Sequence, residues 1–316
     1  MKVLITGGAG LVGSHLSDRL TEEGHEITVI DDLSNGKREN LANANVKLIV
    51  DDVSTCKIEG DFDVIYNLAC FPRSMSFDDP MKDVDVNVKG MVNVLEYAKK
   101  HDSLVIFSSN SGIYDSSKMP VDELTPDHPT SPYDVDKLTA EHFCKIYNEL
   151  YGVKYVIFRF AAIYGPRQAF SEDWQPVVVT FLNNVIAGRV SDVHGDGEQT
   201  RDLIYVEDIV DALVLAKEKE AAIRKTMTLG TGIETSINKL LVTCSSALQR
   251  PTDGRHTKAK DGDIKRMCYP SKLALKVLGW KAKTSLEEGV RKTKEWLIEP
   301  SNIDKTMRLE GYEKRE

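Results

Sequence analysis

The sequence predicts an α/β protein: a doubly wound parallel sheet followed by a smaller mixed α/β C-terminal domain. Three observations predict it. Short apolar runs alternate with amphipathic stretches through the first half of the chain. The runs are rich in Val and Ile and lack clean in–out alternation, as strands buried on both faces of a parallel sheet do. A glycine-rich turn falls directly between the first run and the first amphipathic stretch. Strand, helix, strand in repetition is the pattern of a Rossmann-type fold.

Segments 2–6, 26–31, 46–50, 63–69, 103–109 and 153–161 read as strands, and 11–23, 84–100 and 133–150 as helices between them. After Tyr164 the texture changes. "GPRQAFSEDWQP" and "HGDGEQTRD" are turn-rich and charged, and further helices are expected at 177–187, 206–217, 237–247, 271–278 and 286–297. The expected division is 1–164 for the sheet domain and 165–316 for the second, with some later segments returning to the first. The charged tail from Ser301 is expected to fray.

With 316 residues the chain can bury a sizeable core. Lys and Arg total 41 against 49 Asp and Glu, a net charge of −8, which disfavours nucleic acid as a partner. Five scattered cysteines without a CxxC pair point to no disulfide framework and no metal site, and fit a reducing cytosol. Glycines interrupt the first apolar run, so the opening segment does not read as a signal peptide. No run approaches the ~20 apolar residues of a membrane span. A cytoplasmic protein with no membrane partner is expected.

The turn "LITGGAGLVGSHL" carries G-x-G-x-x-G at Gly8, Gly10 and Gly13, and G-x-x-G-x-x-G at Gly7, Gly10 and Gly13. Backbone amides at a helix N-terminus can face a pyrophosphate there, where a Cβ would block its approach. A bare glycine pattern also fits an ordinary tight turn. Here it follows the first strand, opens a helix, and is followed 18 positions after Gly13 by Asp31 at the end of strand two. That carboxylate can accept both adenosine ribose hydroxyls and would repel a 2′-phosphate, so NAD is the expected cofactor. Asp52, ending strand three, is placed to accept from the adenine amine, or to stand as a solvated loop acid.

"SPYDVDKLTAEHF" puts Tyr133 and Lys137 on one helix face at i, i+4. An ammonium near a phenol lowers its pKa toward the range of a working base. A surface Tyr–Lys pair would show the same spacing. The pair gains force by following "IFSSNSGIYD" (106–115), an apolar strand that breaks into hydroxyl and amide side chains.

TGGAGLVG, Asp31, "NLA" at 67–69, the strand-five serines, Tyr133-x-x-x-Lys137, "IYGPRQ" at 163–168 and "GDGEQTRDLIYVEDIVDA" at 195–212 occur in this order. Together they resemble the extended short-chain dehydrogenase/reductase family in its nucleotide-sugar epimerase/dehydratase branch, over about residues 1 to 297. The resemblance implies tightly bound NAD, a nucleotide-sugar substrate (UDP-linked), and a homodimer packed through 84–100 and 133–150. It implies 4-epimerisation of a UDP-hexose through a transient 4-keto sugar. Tyr133 takes the hydroxyl proton, and Lys137 holds the nicotinamide ribose and, with the cationic nicotinamide, keeps the phenol acidic.

The implied cofactor residues are Gly7, Gly10, Leu11, Val12, Gly13, Asp31, Asp32, Asn35, Gly36, Asp52, Val53, Leu68, Ala69, Asn87, Ser108, Tyr133 and Lys137. Arg201 and Arg266 match positions that bind the diphosphate in relatives, where a guanidinium fork suits phosphate. Arg73 and Ser109, with Tyr133, are expected on the sugar side.

The chain departs from the family pattern at one reacting position. Alignment on Ile113-Tyr114 puts Asn110 where the branch carries a catalytic Ser or Thr. An amide can donate to a sugar oxygen but cannot relay a proton. The expectation is that Asn110 orients the oxygen while Tyr133 moves the proton, helped by Ser111. Ala161-Ala162 replaces the Phe-Asn pair of many 4-epimerases. Dehydratases carry Asp-Glu where this chain has Ser111-Gly112, and decarboxylases a Glu at Gly112, so both rank below epimerisation. A 2-epimerase and a non-catalytic NAD-binding protein remain the alternatives.

Overall fold

A computed structural model of the protein describes residues 1–41, 45–171, 175–252, 254–259, 264–300 and 302. The expected fraying of the tail therefore falls outside the described residues, apart from Asn302.

The first half runs β1 (Lys2–Thr6), α1 (Leu11–Glu22), β2 (Glu26–Ile30), β3 (Val46–Ile49), β4 (Val64–Asn67), α2 (Pro80–Asp83), a π-helical turn (Val84–Lys89), α3 (Gly90–His101), β5 (Leu104–Asn110), α4 (Pro132–Tyr151) and β6 (Tyr155–Phe160). Then follow β7 (Ala162–Tyr164), α5 (Val177–Ile186), β8 (Ser191–His194), β9 (Thr200–Arg201), β10 (Leu203–Tyr205), α6 (Val206–Glu218), β11 (Lys225–Leu229), β12 (Thr235–Ser236), α7 (Ile237–Leu248), β13 (Gly254–Thr257), α8 (Lys272–Leu278) and α9 (Leu286–Ile298).

The central sheet has seven strands in the order β11-β6-β5-β4-β1-β2-β3, every neighbouring pair parallel. Chain direction across the sheet reverses between β1 and β4. In open parallel sheets the crevice for a ligand lies at the strands' carboxyl ends beside such a reversal. Alternation along β1 sends Val3 and Ile5 to one face and Leu4 to the other, each into its own buried cluster. α1 packs against α6 on the first face, and α3 against α4 on the second. A third core joins Val178 and Leu182 of α5, Leu240 and Cys244 of α7, and Val290 and Leu297 of α9.

The structure refines three sequence expectations. The helix expected over 84–100 begins earlier, at Pro80, where the Asp79 side chain accepts from the Lys82 amide. It then passes through the π turn before continuing as α3. π turns widen a helix locally and recur at functional sites. The seventh strand, β11, comes from the second half of the chain and completes the sheet beside β6. Helix α4 has a sharp start and stop: Pro132 at its first turn, Ser131 accepting from the Asp134 amide at 3.1 Å, and Gly152 in the left-handed region with φ +74°.

A buried ion pair fixes α4 against the sheet. Arg159 of β6 donates from Nε and Nη2 to Glu141 of α4, both at 2.8 Å, and from Nη1 to Asp127 at 2.7 Å. Ser109 of β5 donates to the same Glu141 carboxylate at 2.6 Å. Its side chain therefore faces the sheet–helix seam. Removing one partner of a buried pair strands the other charge. Glu141→Ala is expected to lower the unfolding free energy by about 3–5 kcal/mol, measured by chemical denaturation.

Candidate active site

The glycine turn is forced by its neighbours. Gly7 has φ +68°, and a Cβ there would stand 2.6 Å from the Ala69 nitrogen. A Cβ on Gly13 would stand 2.4 Å from the Gly7 carbonyl oxygen. Gly10 caps α1 without any side-chain bond, so the first-turn amides beside Leu11 and Val12 keep an open approach. That is a cradle for an anion at a helix N-terminus. Asp31, buried at the end of β2, accepts from the Ala9 and Leu33 amides, each at 2.8 Å. Burial pushes its carboxyl pKa up while these two donors pull it down. They fix its orientation and leave lone pairs for ribose hydroxyls. Asp32 is bonded to Ser34, and the turn containing Asn35 and Gly36 closes when the Lys37 amide donates to the Ala9 carbonyl.

Asp52 accepts from Lys82 at 2.7 Å and from Ser54 twice. Burial opposes its charge, but these donors outweigh it and hold the carboxyl at about 2. Val53 and Leu68 are buried in the cores on opposite faces of the sheet, and the Thr6 hydroxyl accepts from the Ala69 amide at 3.3 Å. Glycines that a Cβ would crowd, an uncapped helix start and an oriented carboxylate together fit a dinucleotide.

Lys137 is fully buried. Its Nζ donates to the Ser108 carbonyl at 2.9 Å and lies 5.5 Å from the Tyr133 ring centroid. Ser108 itself donates to the Asn67 carbonyl at 3.2 Å. Burial pushes the ammonium down, and Cys70 and Asp83 push it back up. The expectation that Lys137 acidifies Tyr133 meets a counter-force. Burial first, then Cys70, Asp134 and Asp83, push the phenol well above its ordinary value. The exposed Cys70 thiol lies close to it. Asn87, in the π turn, donates to Asp83 and is itself buried.

Asn110 is the last residue of β5, and a 3₁₀ turn, Ser111–Ile113, follows. Its Oδ1 accepts from the Gly112 amide at 3.0 Å, and its Nδ2 donates to Asp134 Oδ1 at 2.5 Å. An amide donor on one side and a carboxylate on the other leave one way to orient the side chain. Asp134, fully buried, also accepts from the Thr130 amide at 3.2 Å and from Arg73 through Nε at 3.4 Å and Nη2 at 3.3 Å. It therefore joins Asn110 to Arg73 beside Tyr133. Sequence reading missed Asp134, because an acid in the first turn of a helix already has a sufficient reason in the helix dipole. Ser111 is buried in that turn, near Tyr269 from the second half of the chain.

The expected diphosphate residues meet on one ribbon. Arg201 of β9 donates from Nη1 to the carbonyls of Thr200 and Ile264, each at 2.8 Å. Arg266, two residues beyond Ile264, forms a two-pronged pair with Glu234, which also accepts from Thr200 at 2.7 Å. Among the described residues no group of three or more His, Cys, Asp and Glu could hold a metal ion.

A seven-stranded parallel sheet with a glycine cradle at its reversal and a Tyr–Lys pair at the end of β5 defines a dinucleotide-dependent enzyme class. Residues 3–230 match the model of the NAD dependent epimerase/dehydratase family. The chain belongs to that family. It is 35% identical over 309 residues to UDP-glucose 4-epimerase of Mycolicibacterium smegmatis, covering 94% of this chain and 98% of that one. It superposes with TM-score 0.88 on UDP-glucose 4-epimerase of Thermotoga maritima with UDP-glucose, at 32% identity over 94% of this chain and 98% of that one. It superposes with TM-score 0.90 on UDP-N-acetylglucosamine 4-epimerase of Methanobrevibacter ruminantium M1 in complex with UDP-N-acetylmuramic acid, at 31% identity and the same coverage.

Asn110→Ser removes the donor to buried Asp134, since a serine hydroxyl is too short to replace the amide. The expected result is a loss of about 1 kcal/mol in stability, because Asp134 loses one donor while Arg73 and Thr130 still hold it. In a double-mutant cycle with Asp134→Asn, read by thermal unfolding, Asn110→Ser should cost less than it does alone, because its partner is already changed.

Proposed function

We propose that the protein is an NAD-dependent nucleotide-sugar epimerase, acting at C4 of a UDP-hexose through a transient 4-keto sugar. The observation that carries this reading is the Tyr133–Lys137 pair at the carboxyl end of β5, next to the glycine cradle and Asp31. The NAD that the family binds supplies the hydride acceptor and then the donor. Tyr133 accepts the proton of the sugar hydroxyl and returns it. Lys137, anchored on the Ser108 carbonyl, keeps a positive charge at that phenol and holds a ribose hydroxyl. Asn110 has a second Nδ2 hydrogen beyond the one given to Asp134, and offers it to the sugar oxygen. Arg73 belongs to the sugar side, and Arg201 and Arg266 to the diphosphate; the Ser109 hydroxyl, expected beside the sugar, is instead engaged by buried Glu141.

Gly112 argues against its replacement by an acid of the kind that drives water loss or decarboxylation. A Cβ there would stand 2.8 Å from Asn110 Nδ2 and 3.1 Å from Asp134 Oδ1. Incubation with UDP-glucose, UDP-N-acetylglucosamine and UDP-glucuronate, followed by separation of the 4-epimers, tests the reaction. Interconversion of none of them sinks the proposal. Tyr133→Phe is expected to lower kcat by about 10²–10⁴.

A homodimer is part of the same proposal. Met81 and Val84 near the start of the α2–α3 helical segment, and Val135, Ile146, Leu150 and Tyr151 on α4, are exposed apolar residues. Such a patch marks an association surface. Ile146→Asp is expected to shift the protein toward monomer in analytical ultracentrifugation; an unchanged mass would count against this interface. Free cysteines at 56, 70, 144, 244 and 268 are compatible with a cytoplasmic setting.

A further inference from the structure

Two acids lie beneath the Tyr133–Lys137 pair and have no part in the reaction as assigned. Asp83 ends α2 and Asp136 lies on α4 between Tyr133 and Lys137. Asp83 is fully buried and Asp136 is 7% exposed. Their carboxyls lie within reach of each other. The Asn87 amide donates to one oxygen of Asp83. The Oδ2 atoms of both acids are buried without a hydrogen-bond donor, so a proton held between the two carboxyls is the bond left open to them. Two acceptor oxygens cannot bond without a proton between them. Buried like charges in contact resolve in this way, with one proton held by the pair.

We infer that Asp83 and Asp136 form a proton-sharing pair that acts as a positioning element for Tyr133 and Lys137, fixing one negative charge beneath them. This rests on the assignment of Tyr133 as the base. With its proton, the pair carries one negative charge, enough to support the buried Lys137 ammonium. Without it, a second buried negative charge opposes formation of the Tyr133 phenolate. Both Lys137 and Tyr133 respond to Asp83 in that sense. Burial and the Asp136 charge push the Asp83 carboxyl up to about 7, and burial raises Asp136. The titration belongs to the pair, not to either acid alone.

The other charged and titratable groups nearby are accounted for. Lys137 and Tyr133 face the pair from α4, and Cys70 reaches both from the loop after β4. Asp134 is held by Arg73. Lys82 and Asp85, on Asp83's own helical segment, are paired with Asp52 and Lys89. The turn Met75–Phe77 contributes no titratable group.

The test combines infrared spectroscopy of the protein as purified with the pH dependence of epimerisation. The wild type is expected to show the carbonyl stretch of a protonated carboxylic acid that disappears as pH rises through about 7. Asp136→Asn, whose amide donates to Asp83 and keeps a single negative charge, should lack that band. In the same range the wild-type kcat should fall as the shared proton is lost, and that alkaline limb should be absent from Asp136→Asn. A wild type with no titrating carboxylic acid band overturns the pair, whether or not the variant folds. An alkaline limb that survives unchanged in the variant overturns its positioning role. The band present in a protein that epimerises nothing supports the pair and overturns the reaction assigned above.

Discussion

The buried tie between Arg159, Glu141 and Ser109 is the interaction on which the reacting groups depend. It links β6 to β5 and α4, the two elements that carry Asn110, Tyr133 and Lys137. A charged pair inside a protein is retained only where its geometry satisfies it, since desolvation otherwise exceeds the attraction. Here the guanidinium has three carboxylate contacts, and the Glu141 carboxylate takes a serine as well. With α4 locked in azimuth, Lys137 reaches the Ser108 carbonyl one strand position before Ser109. Tyr133, one turn earlier, then stands over the end of β5. The chemistry inherits its precision from a bond network that touches no substrate.

A second layer of polar order surrounds the same helix start. Asp134 faces one way and binds Asn110 and Arg73; Asp136 faces another and meets Asp83. Tyr133 directly precedes both acids in the sequence. A low local dielectric makes each of these groups consequential for the phenol. That explains why the protein alone raises the tyrosine, although a lysine stands nearby. In the proposed mechanism the cationic ring at the nicotinamide end of the cofactor acts against this background, so the acidity of Tyr133 depends on both.

Much of the fold was legible along the chain. Fully buried parallel strands announce themselves by unbroken Val and Ile runs, and β1 to β6 fall close to the expected segments. The glycine turn was legible because backbone sterics leave no other residue type. The π turn at 84–89 was not, because widening a helix by one residue leaves the apolar spacing almost unchanged. The return of some later segment was expected, but not that it would be β11 beside β6, since five residues of strand carry no mark of which neighbour they join. Asn110 stood out as a departure in sequence, yet its partner Asp134 did not. The two are 24 positions apart, and only the packing of α4 on β5 brings them together.

The sequence by itself determined the class of fold, the cradle for a dinucleotide and the identity of the Tyr–Lys pair, because each is encoded in local spacing. Backbone sterics and helical periodicity act over a few residues and can be read from a few residues. Tertiary structure alone decided the partners of those groups: Asp134 for Asn110 and Arg73, Asp83 for Asp136, Cys70 for Tyr133. Those pairings are set by burial and by contacts between distant segments, and a charge's behaviour depends on what desolvates and faces it. Which groups titrate near the reacting phenol, and in which direction, is therefore a property of the packed protein.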